Sequence, residues 1–460
     1  MKISTDSINR LSLGIMEKHQ CSPEEAIVKL RSLNLNLDCG DEIKTSLPLQ
    51  AALVTAVNTA KRAFLGSLSV RMPGNTPCLL RWPGDISLNE VVTQLGGTII
   101  DELPSGTFTL CFGLPGTIDH LSMRVVCNNW QVGVLVQAEN PEISSTGDIP
   151  TAGIFAGAYS VFLAFLRSTG IHLAACDESK GISLWRPDLH WLDGKAKGPH
   201  VEFLPAQYWL LGLGHLGQAY LWNIGLLPYA SPGQVKILLQ DDDKVVEANW
   251  SAGLLSEKSH QGIMKTRLCA QWLEKRGFLT SITERRFNQH TRRIQDEPFL
   301  ALCGFDSGPS RLPLEDAGYD LIVESGLGNS LPTFDMISLH TFPGADKTPT
   351  ELWGDIDPAK IDINETIYNI LRKAEEGECG IIPLTIAGKA VSASFVGACS
   401  GAMVVAELLR GLHGGMRYDK IMMHLRDLDN RKALLHKSGG YLYEHSRNGF
   451  VQSATRTGLV

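Results

Sequence analysis

The sequence predicts an α/β fold with a mostly parallel sheet, and three observations carry that expectation. The first is residues 206–227, AQYWLLGLGHLGQAYLWNIGLL. A strand-like run, Tyr208–Leu211, leads into Gly212-Leu-Gly214-His215-Leu-Gly217, and Leu216–Leu227 then has helical spacing. A strand that turns through glycines into a helix presents free backbone N–H groups where phosphate binds. The second is the next apolar run, Val235–Gln240, ending in Asp241-Asp242-Asp243. Asp241 follows Gly217 by 24 residues, close to the roughly 20 that separate such glycines from a ribose-binding acid. The third is continued alternation: a helix at Met264–Arg276, then strands at Thr280–Phe287, Phe299–Gly304 and Leu321–Gly328. Strands alternating with helices are the signature of parallel βα units.

From the N-terminus, residues 1–46 read as helical. Ser22-Pro23-Glu24-Glu25 is a helix start, with Ser22 as cap, proline at the first position and Glu25 reaching back. Leu49–Leu65 has amphipathic-helix spacing. Strand-like pieces follow at Ser67–Val70, Cys78–Arg81, Thr107–Phe112 and Trp130–Gln137. A long helix then runs through Gly157-Ala158-Tyr159-Ser160 to Arg167. This half alternates like the central stretch but has no phosphate-binding glycines, and a charged, proline-rich loop, Asp177–Pro205, separates the two. Gly397-Ala398-Cys399-Ser400 echoes Gly157–Ser160, and each quartet opens an apolar helix ending in arginine. Residues 329–378, with Pro332, Pro343, Pro349, Pro358 and many acids, suit a crossover with a small insertion. The tail, 416–460, is basic and polar and has no readable pattern.

A chain of 460 residues suits two or three domains. Its 42 Lys and Arg against 49 Asp and Glu leave a net charge of −7, so nothing global draws it to nucleic acid or an anionic membrane. The N-terminus lacks the apolar core and cleavage site of a signal peptide. Two uncharged runs, Ile149–Leu166 and Ala390–Ala406, approach the roughly 20 residues of a membrane span, but their Gly, Ala and Ser content suits buried helices. Ten cysteines occur without a CxxC pair, which gives neither a disulfide framework nor a zinc clip. A cytoplasmic enzyme fits best.

A dehydrogenase needs one acid after the glycine turn, whereas this chain concentrates charge there. Asp241-Asp242-Asp243-Lys244-Val245, Asn249 and Lys265 resemble the adenylating domain of the ThiF/MoeB superfamily, which includes the ubiquitin-activating enzymes. That family has GxGxxG, then D-x-D-x-V-x-x-x-N-x-x-R-Q, then a Lys thirteen residues after the Arg. Here Ala252 stands at the Arg and Gly253 at the Gln. Asp306 and Arg311 after an apolar strand, and Val391–His413, resemble later family elements. The similarity is closest to ThiF-like proteins of bacterial ubiquitin-like conjugation (Bil-type) operons, a setting that implies antiviral defence. It covers 206–415 well and 47–205 loosely.

The resemblance implies a Rossmann-like adenylation domain at 206–328, completed by 391–460, after an N-terminal helical segment (1–46) and a degenerate, inactive adenylation-like half (47–205). A crossover segment, 329–390, would carry a catalytic cysteine. It implies ATP and Mg2+ as cofactors: Gly212, Gly214, His215 and Gly217 around phosphate, Asp241 on the ribose with Asp243 beside it, Asn249 and Lys265 on the triphosphate, and Asp306 on magnesium. Cys379, beside Gly380, is the thiol expected to receive a ubiquitin-like protein as a thioester and pass it to a conjugating enzyme. The acids of Lys373–Glu378 would raise its pKa unless a base such as His340 or Lys389 approaches. Cys399, in an apolar helix, reads as packing. The charge missing at Ala252 would come from Arg285, Arg286, Arg292, Arg293 or Arg311, from the inactive half, or from a second subunit in a homodimer; otherwise adenylation is weak and the protein is a scaffold. A sulfur-carrier adenylyltransferase shares the motifs but is usually nearer half this length. A NAD-dependent oxidoreductase has no use for the Asp241–Asp243, Asn249 and Lys265 group.

Overall fold

A computed structural model describes residues 10–113, 120–136, 145, 147–328, 330–344, 347–355, 364–374, 392–436 and 450–454. Two helices, α1 (Arg10–His19) and α2 (Pro23–Ser32), open the chain. The predicted cap of α2 is present: the Glu25 N–H donates to Ser22 Oγ (3.2 Å) and the Ser22 N–H to Glu25 Oε2 (2.8 Å), the reciprocal capping box. The first sheet uses β1 (Asn34–Cys39), β2 (Ser67–Arg71), β3 (Thr98–Ile99), β4 (Thr109–Phe112), β5 (Ser122–Asn128), β6 (Gln131–Leu135) and β7 (Lys180–Ser183). Between them lie α3 (Leu47–Ala60), α4 (Leu88–Leu95) and α5 (Pro150–Ser168). Strand order is β3-β2-β1-β4-β5-β6-β7; β3 to β5 are parallel and the last two pairings antiparallel.

After β8 (Phe203–Pro205) the pattern repeats. The second sheet takes β9 (Gln207–Leu211), β10 (Lys236–Gln240), β11 (Leu279–Thr283), β12 (Leu300–Cys303), β13 (Leu321–Leu327), β14 (Met336–Phe342), β15 (Tyr418–His424) and β16 (Asp427–Leu435). Its helices are α6 (His215–Leu226), α7 (Lys265–Glu274), α8 (Pro349–Trp353), α9 (Glu365–Ala374) and α10 (Ser394–Leu412), and β17 (Phe450–Gln452) pairs with β8. The order β11-β10-β9-β12-β13-β14-β15-β16 reproduces the connectivity of the first sheet and adds one strand. The fold is therefore α/β with two largely parallel sheets in a two-half arrangement.

Three expectations about individual elements change. Residues 34–39 are a central strand of the first sheet and not part of a helical segment; the alternation Asn-Leu-Asn-Leu-Asp-Cys is a strand pattern whose polar members find partners, Asn36 donating to Pro104 O (2.9 Å) and Asp38 accepting from Arg71 (2.7 and 2.8 Å). Cys78–Arg81 is not a strand. Flanked by Pro77 and Pro83, it is pinned by Gln50, which donates to Pro77 O (2.8 Å) and accepts the Leu79 N–H (2.7 Å). Met336–Phe342, inside the expected crossover, is the sixth strand of the second sheet, and the opening of the tail supplies β15 and β16.

Helices α5 and α10 are 19 residues each and apolar enough to pass for membrane spans, but 89% of each apolar window is buried within the protein. Both are the innermost helices of their half, which is why so few polar residues appear on any face. Their glycines show how they fit. A Cβ on Gly153 or Gly157 would run into the backbone of α3 at Pro48 and Ala52; one on Gly397 or Gly401 would run into α6 at His215 and Ala219. These are the fourth and eighth residues of each helix. The equivalence between halves is thus Gly153/Gly397 and Gly157/Gly401, one turn out of step with the four-letter echo. Small residues four apart let two helix backbones approach closely, and the match of identical letters was incidental to that constraint. Gly157→Ala is expected to destabilise the protein by about 1–3 kcal/mol through overpacking, read as a lower melting temperature.

The halves share one continuous apolar core. Phe162 and Phe165 of α5 meet Phe395 of α10 at ring distances of 5.8 and 5.5 Å, and Trp222 Nε1 donates to Thr55 Oγ1 across the junction (2.9 Å). Arg276 is buried between Trp82 of the first half and Trp272 of the second, at 4.6 and 3.6 Å from the ring centres. Burial pushes its guanidinium down to about 9, and the two ring faces provide a favourable cation–π environment for it.

Candidate active site

A cleft of about 490 Å³ opens at the C-terminal ends of β9, β10, β12 and β13. This is where strand order reverses, between β9 and β12, and ligands of open α/β sheets bind at such switch points. Gly212 leaves β9 at φ +80°, a left-handed conformation suited to glycine, and a Cβ there would meet the Phe305 ring. Gly214 is the N-cap of α6 and has no side chain to cap it, and the first residues of the helix line the cleft. His215 also lines the cleft, its ring packed on Gly397. Gly217 does not line it. A Cβ on Gly217 would collide with Gly212 O, so this glycine lets the helix sit close against the strand turn.

Asp241 directly follows β10 and closes back on the glycine turn. Its Oδ2 accepts the Leu213 N–H (2.6 Å) and its Oδ1 the Asp243 N–H (2.8 Å). Burial pushes its carboxyl up, opposed by Lys265 and by those two amides. The chain then returns through a bridge between Lys244 and Met264, which places Lys265 Nζ 2.7 Å from Asp243 and 3.9 Å from Asp241. Asn249 lines the cleft and holds its own turn, Oδ1 accepting the Val246 N–H (2.9 Å). Asp306 lies exposed on the opposite wall, on the turn after β12. The structure therefore gathers Gly212, Gly214, His215, Asp241, Asp243, Asn249, Lys265 and Asp306 around one cavity. Cys379 and Lys389 lie outside the described residues.

Other residues complete the walls. Gln218 donates to Leu213 O (3.2 Å) and accepts from the Leu255 N–H and Ser256 Oγ (3.0 Å each), tying the glycine turn to the loop after Asn249. A Cβ on Gly253 would meet Gln218 Oε1, so glycine at that position suits this tie. Phe287 and Phe305 face each other across the cleft wall with ring centres 5.6 Å apart. Arg311 donates to Phe305 O (2.7 Å) and lies 3.1 Å from the buried Glu324, whose other oxygen bonds His340 Nδ1. His340 is thereby engaged inside the protein, packed edge-on against Trp353. Of the arginines considered for the charge absent at Ala252, Arg286 and Arg311 line the cleft; Arg311 is held by Glu324, while Arg286 is exposed. Arg292 and Arg293 bond backbone carbonyls of their own loop.

The matching end of the first sheet is built differently. Gly40 follows β1, but Asp41 and Glu42 come next, and the Glu42 carboxylate fills the space beside Gly113 at the end of β4. Ser46 Oγ caps α3 by accepting the Leu49 N–H (3.3 Å), and Met72-Pro73 follow β2 where the second half has Asp241. Among the described residues, that end carries acids ahead of α3, an amide already satisfied and no acid where the second half has Asp241, an arrangement that does not favour a bound phosphate.

A model of the BilD N-terminal domain matches residues 34–184, and one of the BilD C-terminal domain matches residues 204–415. The bacterial E1-like protein BilD of Collimonas sp. (strain OK412) is 34% identical over 429 residues, covering 90% of each chain. Among solved structures, E. coli MccB with MccA-N7isoASN is 13% identical over 50% of this chain and 65% of its own, with a TM-score of 0.32. MccB with ATP gives 15%, 50%, 64% and 0.31, a likeness too slight to bear on fold or chemistry. On the identity to the Collimonas protein across nine-tenths of both sequences, together with the two domain matches, this chain belongs to the BilD family of bacterial E1-like proteins.

Proposed function

We propose that this protein uses ATP to adenylate the C-terminal carboxylate of a ubiquitin-like protein, receives that protein on Cys379 as a thioester, and passes it to a conjugating enzyme. One observation carries the reading. The glycine turn, the Asp241, Asp243 and Lys265 set, Asn249 and Asp306 line a single cleft in the second half, while the first half, of the same connectivity, has acids and a capped helix at that place.

In this reading the amides at the start of α6 hold phosphate and Asp241 holds the ribose. Lys265 exchanges Asp243 for the triphosphate as the carboxylate attacks the α-phosphate and pyrophosphate leaves. Mg2+ is bound in such sites through one or two carboxylates plus substrate phosphates, and the exposed Asp306 on the cleft wall fits that need; when bound, the ion neutralises phosphate charge. Arg286, exposed and lining the same cleft, supplies the charge absent at Ala252. A thiolate at Cys379 then attacks the acyl carbon, a C–S bond forms and AMP departs. The setting expected for this chemistry is the cytoplasm.

Calorimetry with each nucleotide in turn tests the first step. ATP with magnesium is expected to bind and NAD is not, and a ubiquitin-like substrate should be required for ATP–pyrophosphate exchange. Tight NAD binding with no response to ATP would overturn the proposal.

A further inference from the structure

Among the described residues, none of the first half lines the cleft, yet one of its side chains is built into the loop that walls it. Arg62, two residues past the end of α3, is fully buried, an unfavourable place for a guanidinium unless its donors are satisfied. Those of Nη2 are directed to a single stretch of the other half. Nη2 donates to Gly253 O (2.9 Å), Leu254 O (3.4 Å) and Ser256 O (3.0 Å), while Nη1 is oriented by Asn58 O and Oδ1 (2.9 Å each). Asn58 Nδ2 adds a bond to Leu254 O (3.0 Å), and Lys61 Nζ pairs with Glu257 (2.6 Å). From the opposite side Gln218 holds Leu255 and Ser256. The loop so gripped runs on from Asn249, Ala252 and Gly253, all on the cleft wall, toward Lys265. The carbonyls of Gly253, Leu254 and Ser256 converge on Nη2 of Arg62.

We propose that Arg62 is a positioning residue of the nucleotide site, through which the first half fixes the shape of the loop 249–257. The proposal rests on the ATP reading above for its effect on affinity, and on geometry alone for its effect on the loop. Lysine keeps the charge of Arg62 and loses the planar fork. Arg62→Lys in the full chain is expected to speed amide exchange in 249–265 of the unliganded protein, and to weaken ATP binding about tenfold with little change in turnover at saturating ATP. Trp82→Ala loosens the junction elsewhere; it is expected to lower the melting temperature and leave both readouts unchanged. Asn58→Ala, which removes the oxygen orienting Nη1, should reproduce the regional exchange and decides the matter if Arg62→Lys does not fold. Exchange in 249–265 and ATP affinity no different from those of Trp82→Ala would overturn the proposal. A wild-type protein that binds no ATP would refute the functional reading, and the exchange comparison would still decide the role of Arg62.

Discussion

Asp306→Ala is expected to abolish ATP–pyrophosphate exchange, a loss of at least about 10²- to 10³-fold, with no measurable change in melting temperature. The two halves of that expectation have separate causes. Asp306 is exposed on the turn after β12, and the carbonyl before it is held by Arg311, so the turn keeps its shape without the carboxylate. Surface substitutions away from caps, networks and cores usually stay within about 0.5 kcal/mol. The chemistry has no such reserve. A carboxylate approaching a triphosphate meets several negative charges, and the acids on the other wall, Asp241 and Asp243, are already engaged with Lys265. Lys265→Ala should also impair exchange, but less cleanly, because it leaves two neighbouring acids without their counter-charge and so affects the fold too. Exchange in Asp306→Ala within threefold of wild type would remove this residue from the site.

How much of this was legible in the sequence follows from how local each signal is. The glycine turn, the acids after β10 and the return to Lys265 lie within sixty residues, and each is readable because a backbone requirement fixes a residue type: no Cβ at Gly212 or Gly217, a carboxylate at Asp241 to bond two amides. Strand β1 was hidden because two of its residues, Asn36 and Asp38, are polar yet buried; their partners, Pro104 O and Arg71, come from distant segments. The Arg311–Glu324–His340 contact was hidden for a related reason. Glu324 and His340 are register partners on antiparallel strands, a pairing that only the sheet creates, so the engagement of His340 Nδ1 by Glu324 has no sequence signal. Gln218 and Arg62 carry no pattern at all. One is a polar residue inside an apolar helix, the other one of two adjacent bases just past a helix end, and both acquire meaning only when the loop 253–257 folds between them.

Cys379→Ala is expected to lose a reductant-sensitive adduct with the ubiquitin-like protein entirely while retaining ATP–pyrophosphate exchange near the wild-type rate. Adenylation and thiol capture draw on different groups, so removing the thiol should stop only the second. Several described cysteines argue against themselves as carriers. Cys269, Cys303 and Cys399 are fully buried, and burial pushes their thiols up, that of Cys303 to about 12; Cys399 moreover donates to Phe155 O across the junction (3.7 Å). A free thiol near its ordinary pKa has a few per cent of thiolate at neutral pH, and each unit of upward shift removes about nine-tenths of that. The half-buried Cys21, Cys78 and Cys176 are pushed up as well, chiefly by burial; Cys21 lies between α1 and α2, and the other two belong to the first half. Cys379, by contrast, follows the last residue of α9 by five positions and precedes Ser392, on the cleft wall, by thirteen. A chain spans at most about 3.5 Å per residue, so thirteen residues reach up to roughly 45 Å, ample for a thiol to approach an adenylate formed beside Asp306. The measurement is a gel shift with ATP and the cognate modifier, with and without reductant. An adduct that persists in Cys379→Ala assigns the thioester to another cysteine. A wild-type protein that exchanges pyrophosphate yet never forms an adduct would mean that the adenylate passes directly to a thiol of the conjugating enzyme.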